Sequence, residues 1–413
     1  MAGTGLFRSL RETRLIWTKY GGWYDVCKKY GMRNGKWIAL DGRDCNRSDY
    51  PELSPYFPVG VFTSTARTLA GAPAYATIAA DDTNYLATGV AGTATLQASA
   101  DGVTWTASST WGASTSWASI IRAGTRWVIA GSGGDATAPY VQNVNATAAN
   151  TVPKANWTAT TGGTTTTLTQ GLAYSPSLGR TVLCKNGSLA TASGLFYLND
   201  ASTTWNACSG GSTMDRKGVC WTGQAFVTIS NASDSNIIQT SSDGMTFSDA
   251  YINQKGNAVS ITSDGNGTVV VYVTAAGLSN SKGYGFIVSK DHGSTWCFVD
   301  AITSDLYYPV PVIWYVNGKF IAAGTGVTLM SSDGLTWINE PVAMRGKLFV
   351  TMGIGGQAYK NGVYCFVEAG NTAAITAVES NAKFHLPMNN NLIYSGVGMY
   401  VIPSVKMFIK ARS

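Results

Sequence analysis

Ser289-Lys290-Asp291-His292-Gly293-Ser294-Thr295-Trp296 decides how this chain is read, because the phrase returns along the sequence in shortened form. Ser99-Ala100-Asp101-Gly102-Val103-Thr104-Trp105, Ser241-Ser242-Asp243-Gly244-Met245-Thr246-Phe247 and Ser331-Ser332-Asp333-Gly334-Leu335-Thr336-Trp337 have one residue fewer. Asn199-Asp200-Ala201-Ser202-Thr203-Thr204-Trp205 keeps the acid, the threonine and the tryptophan. Lys154-Ala155-Asn156-Trp157 and Ser380-Asn381-Ala382-Lys383-Phe384 read as worn copies. The closing aromatics, 105, 157, 205, 247, 296, 337 and 384, are 52, 48, 42, 49, 41 and 47 residues apart. Spacing in this range belongs to solenoids and propellers.

The residues between the marks choose the propeller. Upstream of each mark a turn signal precedes a short β-rich run: 83–89, 124–131, 179–184, 223–229, 267–273, 317–324 and 361–367. Each run is bounded by Gly, Asn or Asp, as hairpin strands are. A second apolar run then leads into the phrase, giving about four strands per repeat, the content of a propeller blade. Sustained helical periodicity is absent outside the N-terminus. The expected fold is all-β, a seven-bladed β-propeller.

The recurring phrase resembles the Asp-box, or BNR repeat, of sialidases and sortilin-type receptors, over roughly residues 70–384. The resemblance implies a tight turn between the outer two strands of each blade. In it the carboxylates of Asp101, Asp200, Asp243, Asp291 and Asp333 accept backbone N–H bonds and glycine takes a positive φ. The aromatics Trp105, Trp205, Phe247, Trp296 and Trp337 pack between blades. Asp291 is therefore read as part of a joint and not as a catalytic acid, since seven copies do not make one active site.

Composition agrees. Only 13% of the 413 residues are charged and 47 are glycine, against about a quarter charged in ordinary domains. No run of eighteen apolar residues predicts a transmembrane helix, and the charge-studded first twenty residues do not resemble a secretory signal. Seven cysteines (27, 45, 184, 208, 220, 297 and 365) stand singly. That pattern points away from a disulfide framework and from a zinc site, and towards folding in a reducing cytoplasm. Cys184 and Cys365 occupy matching places in blade strands, as small buried thiols do. No metal or cofactor is expected.

Charge is concentrated at one end. Residues 1–47 carry ten Lys or Arg and four acids, an excess equal to the +6 of the whole chain. The rest is neutral, which argues against nucleic-acid binding. Residues 1–36 read as a basic attachment segment, with Leu6, Phe7, Leu10, Ile16 and Trp17 as an apolar side. Its short face favours a partner protein over membrane insertion.

The flanks carry a second signal. Trp37, Asp41-Gly42, Arg47, Tyr50 and Leu53 follow the order of residues that opens a phage tail-collar domain, and the chain resembles that family here. Lys383-Phe384-His385-Leu386-Pro387 and the apolar 399–413 resemble the family's later portion. The usual Asp-Leu-Arg-Gly after the Leu-Pro is missing, so the ligand or metal features of some collar domains find no support. Because a propeller's ends meet, it can be inserted into a host loop. The expected organisation is an attachment segment (1–36), a collar-like base in two halves (37–60 and 385–413), and the propeller (61–384) between them.

A sialidase would need a three-arginine cluster, a Tyr–Glu pair and an acid. Propeller arginines are few, Arg122, Arg126, Arg180, Arg216 and Arg345 among them. Arg126 and Arg180 are placed in hairpin turns at solvated edges, and the Arg-Ile-Pro signature is absent. Glutamates are also few (Glu340, Glu368, Glu379), whereas glycosidases use carboxylate pairs. Two histidines, His292 and His385, offer little for a Ser-His-Asp triad.

Binding is the favoured chemistry. Loops at 131–140, 185–194, 230–236, 274–285 and 369–374 are rich in Asn, Ser, Thr and Gly and are assigned to the face opposite the box turns. Trp111, Trp117, Tyr307 and Tyr308 in blade-to-blade loops offer rings for sugars, and Asp215, Arg216 and Arg345 offer polar contacts. The resemblances imply a phage tail-fibre or appendage protein. It would fold in the host cytoplasm, dock to other tail proteins through its N-terminus, trimerise, and meet a host glycan or protein receptor through the propeller. A purely structural virion component is the alternative, and a glycan-cleaving propeller the third reading.

Overall fold

The structure, a computed structural model, describes residues 37–39, 44–49, 51, 60–68, 74–90, 94–111, 115–133, 140–142, 171–184, 194–200, 202, 205–210, 216–230, 236–253, 257–274, 284–300, 312–324, 327–339, 354–368, 373–385 and 408–410. Three strands come first: β1 (Trp37–Ala39), β2 (Asp44–Asn46) and β3 (Val61–Thr68). Sheet I follows with β4 (Ala74–Ala80), β5 (Tyr85–Val90), β6 (Ala94–Ser99) and β7 (Thr106–Trp111). Sheet II holds β8 (Thr115–Ala123), β9 (Arg126–Gly133) and β10 (Tyr140–Gln142). Sheet III holds β11 (Leu172–Ser175), β12 (Arg180–Cys184), β13 (Leu195–Asn199) and β14 (Asn206–Ala207). Sheet IV holds β15 (Arg216–Trp221), β16 (Phe226–Ser230), β17 (Asn236–Ser241) and β18 (Ser248–Asn253). Sheet V holds β19 (Asn257–Ser263), β20 (Val269–Thr274), β21 (Tyr284–Ser289) and β22 (Cys297–Asp300). Sheet VI holds β23 (Val312–Val316), β24 (Lys319–Gly324), β25 (Val327–Ser331) and β26 (Ile338–Asn339). Sheet VII holds β27 (Ile354–Lys360), β28 (Val363–Glu368) and β29 (Ala373–Ser380), and its fourth strand is β3. The last strands are β30 (Lys383–His385) and β31 (Phe408–Lys410).

Every pairing within these sheets is antiparallel between sequence neighbours, except β29 with β3. The first strands touch in cyclic order: β4, β8, β11, β15, β19, β23, β27 and β4 again. Described residues contain no helix. Six sheets have four described strands where seven such blades were expected, and sheet II has three. Trp157, the mark expected for that repeat, lies outside the described residues.

Local sequence explains the strands. The seven β-rich runs coincide with the second strands β5, β9, β12, β16, β20, β24 and β28. These are sandwiched between neighbouring sheets, so both faces must be apolar and the usual alternation is lost. Accordingly all five residues of β16 are buried, and so is Val269 through Val273 in β20. Asn317-Gly318 and Asn361-Gly362, both residues of each pair at positive φ, make tight hairpins before β24 and β28. The twist of such turns matches that of the strands they join.

The described core includes clusters at six of the junctions between sheets, and box aromatics enter five of them. Trp105 packs with Ile78, Tyr85, Ala358 and Val367 between sheets I and VII. Trp205 lies among Val128, Ala130, Leu183 and Phe196 between II and III. Phe247 joins Val182, Leu195 and Phe226 between III and IV. Trp296 borders the cluster of Val227, Ile229, Val271 and Ile287 between IV and V. Trp337 packs with Phe286, Val288 and Phe320 between V and VI. Each mark thus covers the seam towards the preceding sheet.

Ring closure is made by the N-terminal side of the chain. Val61 pairs with Ser380 and Thr68 with Ala373, across the full length of both strands. Phe384 consequently does not close a blade. Lys383–His385 pairs instead with Asp44–Asn46, and Trp37–Ala39 pairs with Phe408–Lys410. The phrase at 380–384 is thus corrected from a seventh box to the exit from the ring. Residue 384, expected as the last residue of the propeller, falls inside a strand that belongs to the terminal pairs.

Candidate functional site

Four of the described box turns share one set of carboxylate and serine bonds. The Asp333 Oδ1 accepts from Leu335 N at 2.8 Å, Thr336 N at 2.7 Å and Ser331 Oγ at 3.0 Å. Gly334 N donates to Ser331 Oγ at 2.8 Å, and Trp337 Nε1 returns to Gly334 O at 2.9 Å. The arrangement recurs around Asp101 and, without the ring N–H bond that Phe247 cannot make, around Asp243. The longer copy around Asp291 keeps it as well, with Gly293 N on Ser289 Oγ at 2.9 Å and Thr295 N on Asp291 Oδ1 at 2.7 Å. Its extra residue, His292, is carried at a φ of 61°. Asp200 differs: it accepts from Tyr174 Oη at 2.7 Å and lies 3.6 Å from the Arg126 guanidinium.

These bonds set carboxyl affinities. The Thr104 amide lowers the pKa of Asp101, and the Thr295 hydroxyl and amide lower that of Asp291. At Asp243 desolvation is the largest influence and raises the pKa, but the Thr246 and Met245 amides and Ser241 outweigh it and the result is lowered. A folded pKa below the unfolded value of about 3.9 means that the unfolded chain binds more protons in acid. The contribution is therefore present above that value and lost as pH falls through the lower folded values. The thermal midpoint should be level from about pH 7 to 5 and fall below about pH 4. Asp101→Asn, Asp243→Asn and Asp291→Asn combined should flatten that fall, and an unchanged profile would remove the turns from the account.

Cations bind this turn face together. Arg126, almost fully buried, donates to Asn199 O at 2.7 Å and Ser202 O at 2.9 Å, joining sheets II and III. Arg180 donates to the Asp243 carbonyl, joining III and IV. Lys290 reaches Asp333 O at 2.5 Å between V and VI. Lys319 meets Glu379 at 2.8 Å between VI and VII. Lys360 reaches the carbonyls of Thr83 and Ala100 between VII and I, while Arg122 stands 3.8 Å from Asp81 between I and II. Arg126 and Arg180 are thus corrected from solvated edges to clasps between blades. The sequence carries a signal for these clasps: Arg180 and Lys319 directly follow a hairpin glycine, and Arg126 is one residue further on. A cation there lies within reach of the next box turn.

Of the residues chosen for ligand binding, Arg216 is corrected outright. It starts β15 and is 0% exposed. Burial lowers its pKa to about 10, partly offset by Cys184, Asp249 and Cys208 nearby, so it stays cationic and out of a ligand's reach. Trp111 ends β7 and Trp117 is the third residue of β8, so both are on strands and not in the loop between them. Asp215, Tyr307, Tyr308 and Arg345 lie outside the described residues. Of the residues assigned to the collar-like motif, Trp37 is in β1 and Arg47 is described, whereas Asp41, Gly42, Tyr50, Leu53, Leu386 and Pro387 lie outside the described residues.

Arg47 ties the strand pair of 44–46 and 383–385 to the propeller's exit. Its amide donates to Ala382 O and its Nε to Asn381 O, each at 2.9 Å. Its guanidinium stands 5.6 Å from the Phe384 ring centroid. Glu379, two residues before Asn381, accepts from Gly60 N at 2.6 Å, where the closing strand begins. The entry at Gly60 and the exit at Ser380 thus lie at the turn face.

Burial pushes the Cys184 and Cys208 thiols up to about 12, leaving them protonated at neutral pH and poor nucleophiles. No disulfide links the six described cysteines. No group of three His, Cys, Asp or Glu side chains among the described residues is placed to hold a metal.

The turn face also holds a cleft of about 410 Å³ between sheets IV and V, lined by Gln224, Thr240, Ser242, Ser248, Ala250 and Ser294 among others.

Neither a protein-family model nor a curated protein matches the sequence. YCF48 bound to D1 peptide shares the fold with a TM-score of 0.54 at 14% identity, over 77% of this chain and 96% of that one. This chain is a β-propeller. The WD40 β-propeller domain of Doa1 gives the same TM-score at 12% identity, over 77% of this chain and 97% of that domain. Identities this low establish the propeller's architecture and nothing of its ligands.

Proposed function

We propose that this propeller is the receptor-binding part of a bacteriophage tail fibre or appendage, a seven-bladed Asp-box disc carried on a collar-like base. The observation that carries the reading is the polarity of the disc. Gly60, Glu379, Asn381 and Arg47 gather entry, exit and base at the turn face. The second strands β9, β12, β16, β20 and β28 end, and the third strands β10, β13, β17, β21 and β29 begin, at the opposite end, and the sequence between them is rich in Asn, Ser, Thr and Gly. An attachment segment on one side and adaptable polar loops on the other suit a virion-to-host connector. Pairing of 37–39 with 408–410 and of 44–46 with 383–385 supports an inserted disc. On this reading the basic N-terminus docks to other tail proteins and the chain works as a homo-trimer.

A non-enzymatic role is favoured over sugar cleavage. Arg122, Arg126 and Arg180 are spread over three junctions and engaged there, and Arg67 donates to Thr376 Oγ1 at 3.0 Å. A carboxylate-binding triad would need such side chains gathered and exposed.

The purified full chain, labelled, should coat susceptible cells saturably and slow adsorption of the phage that encodes it. Stripping surface polysaccharide separates a glycan from a protein receptor. A folded chain that neither binds nor competes would sink the adhesin reading and promote the structural virion role.

A further inference from the structure

We infer that the cleft between sheets IV and V is a binding site for a small neutral saccharide, separate from the opposite-face loops and independent of the adhesin reading. The cleft lies where the repeat breaks. Only the box of sheet V, among those described, has the extra residue His292 between its Asp and Gly. His292 Nδ1 is 3.0 Å from the Thr222 carbonyl, which only accepts, so this nitrogen carries the proton. The ring is thereby tied to the preceding hairpin. The turn is longer by one residue, and the cleft lies beside it.

The walls have a consistent chemistry. No carboxylate, lysine or arginine is among the lining residues. The side chains of Gln224, Ser242, Ser248 and Ser294 line it from sheet IV and from the sheet V turn. All four are exposed, and none is engaged by another side chain within the described structure. Ala225, Ala250 and Gly293 supply the small residues that leave the volume open. A volume of about 410 Å³ is within the range of small-molecule pockets. Hydroxyls and a carboxamide both donate and accept, as the hydroxyls of a sugar do. With no lining cation, and with Asp243 and Asp291 belonging to the adjoining turns, an anionic ligand is disfavoured.

The test is titration of the full chain with galactose, glucose and N-acetylglucosamine, with sialic acid as the anionic probe, followed by saturation-transfer NMR and calorimetry. At least one neutral sugar should bind saturably in the millimolar range, as a few hydrogen bonds allow, and sialic acid should not. Ala250→Trp, at an exposed strand position, should abolish binding while the far-ultraviolet spectrum and thermal midpoint stay put. The milder Ser294→Ala should weaken it by about three- to tenfold through one lost hydrogen bond. Absence of saturable binding up to tens of millimolar, or binding that survives Ala250→Trp, overturns the proposal. Neither result bears on cell binding through the opposite face, so the two readings fail separately.

Discussion

Trp337→Ala should lower the unfolding free energy by about 3–5 kcal/mol, the cost of emptying a large buried aromatic site. Trp337 is 1% exposed and stacks on Phe286 with ring centroids 4.0 Å apart and planes 11° from parallel. It shares its cluster with Val270, Tyr272 and Val288 of sheet V and Ile313, Phe320 and Leu329 of sheet VI. Both sheets lose packing together, and the cavity has no flexible side to collapse from. Trp337→Phe keeps most of the stacking but loses the Nε1 bond to Gly334, and should cost about 1 kcal/mol for that bond plus a smaller cavity term. Asp333→Asn leaves the aromatic in place and weakens three bonds, for about 1–3 kcal/mol. Urea unfolding followed by circular dichroism gives all three. Should Trp337→Ala cost less than Asp333→Asn, the aromatic would not be the principal element of the box.

Glu379→Ala is the second large effect, expected at about 3–5 kcal/mol because it strands a buried cation. The Glu379 side chain is 3% exposed and that of Lys319 is 11% exposed. One carboxylate oxygen takes Lys319 Nζ at 2.8 Å and Tyr364 Oη at 3.1 Å, and the other takes Gly60 N at 2.6 Å. Sheets VI and VII and the start of the closing strand thus meet on a single side chain. Without it, Lys319 keeps its desolvation cost and loses its counter-charge, and Gly60 loses its acceptor. Lys319→Met in the same chain should recover a large part of the loss, since replacing both members of a buried pair by apolar groups is often tolerated. A double-mutant cycle measures the coupling. Additive single effects would mean that the pair does not bridge the closure. Proteolysis near residue 60 should also increase in Glu379→Ala, because the closing strand frays first.

The box turn was legible from the recurring phrase and its resemblance to the Asp-box, because all its determinants are local. Serine, aspartate and glycine within five residues can satisfy one another without help from the rest of the chain, and Asp101, Asp243 and Asp333 do so identically. The second strands were legible for a related reason: burial on both faces leaves near-continuous apolar runs such as 269–273. Phe384 misled because a worn phrase carries no information about which strand its aromatic will join. Trp111 and Trp117 were assigned to a loop because strand ends in a Ser/Thr-rich stretch have no contrast with the turn that follows.

By itself the sequence determined that the chain is an all-β propeller and what its period is, because both are encoded over distances of about one repeat. Tertiary structure alone decided which strand closes the ring and where the cations go. Val61–Thr68 and Ala373–Ser380 are some three hundred residues apart and match only as backbone ladders. Arg126 and Arg180 looked like edge residues in one dimension. Curving the sheets into a ring brings each against the carbonyls or carboxylate of the next blade, where desolvation makes the contact count.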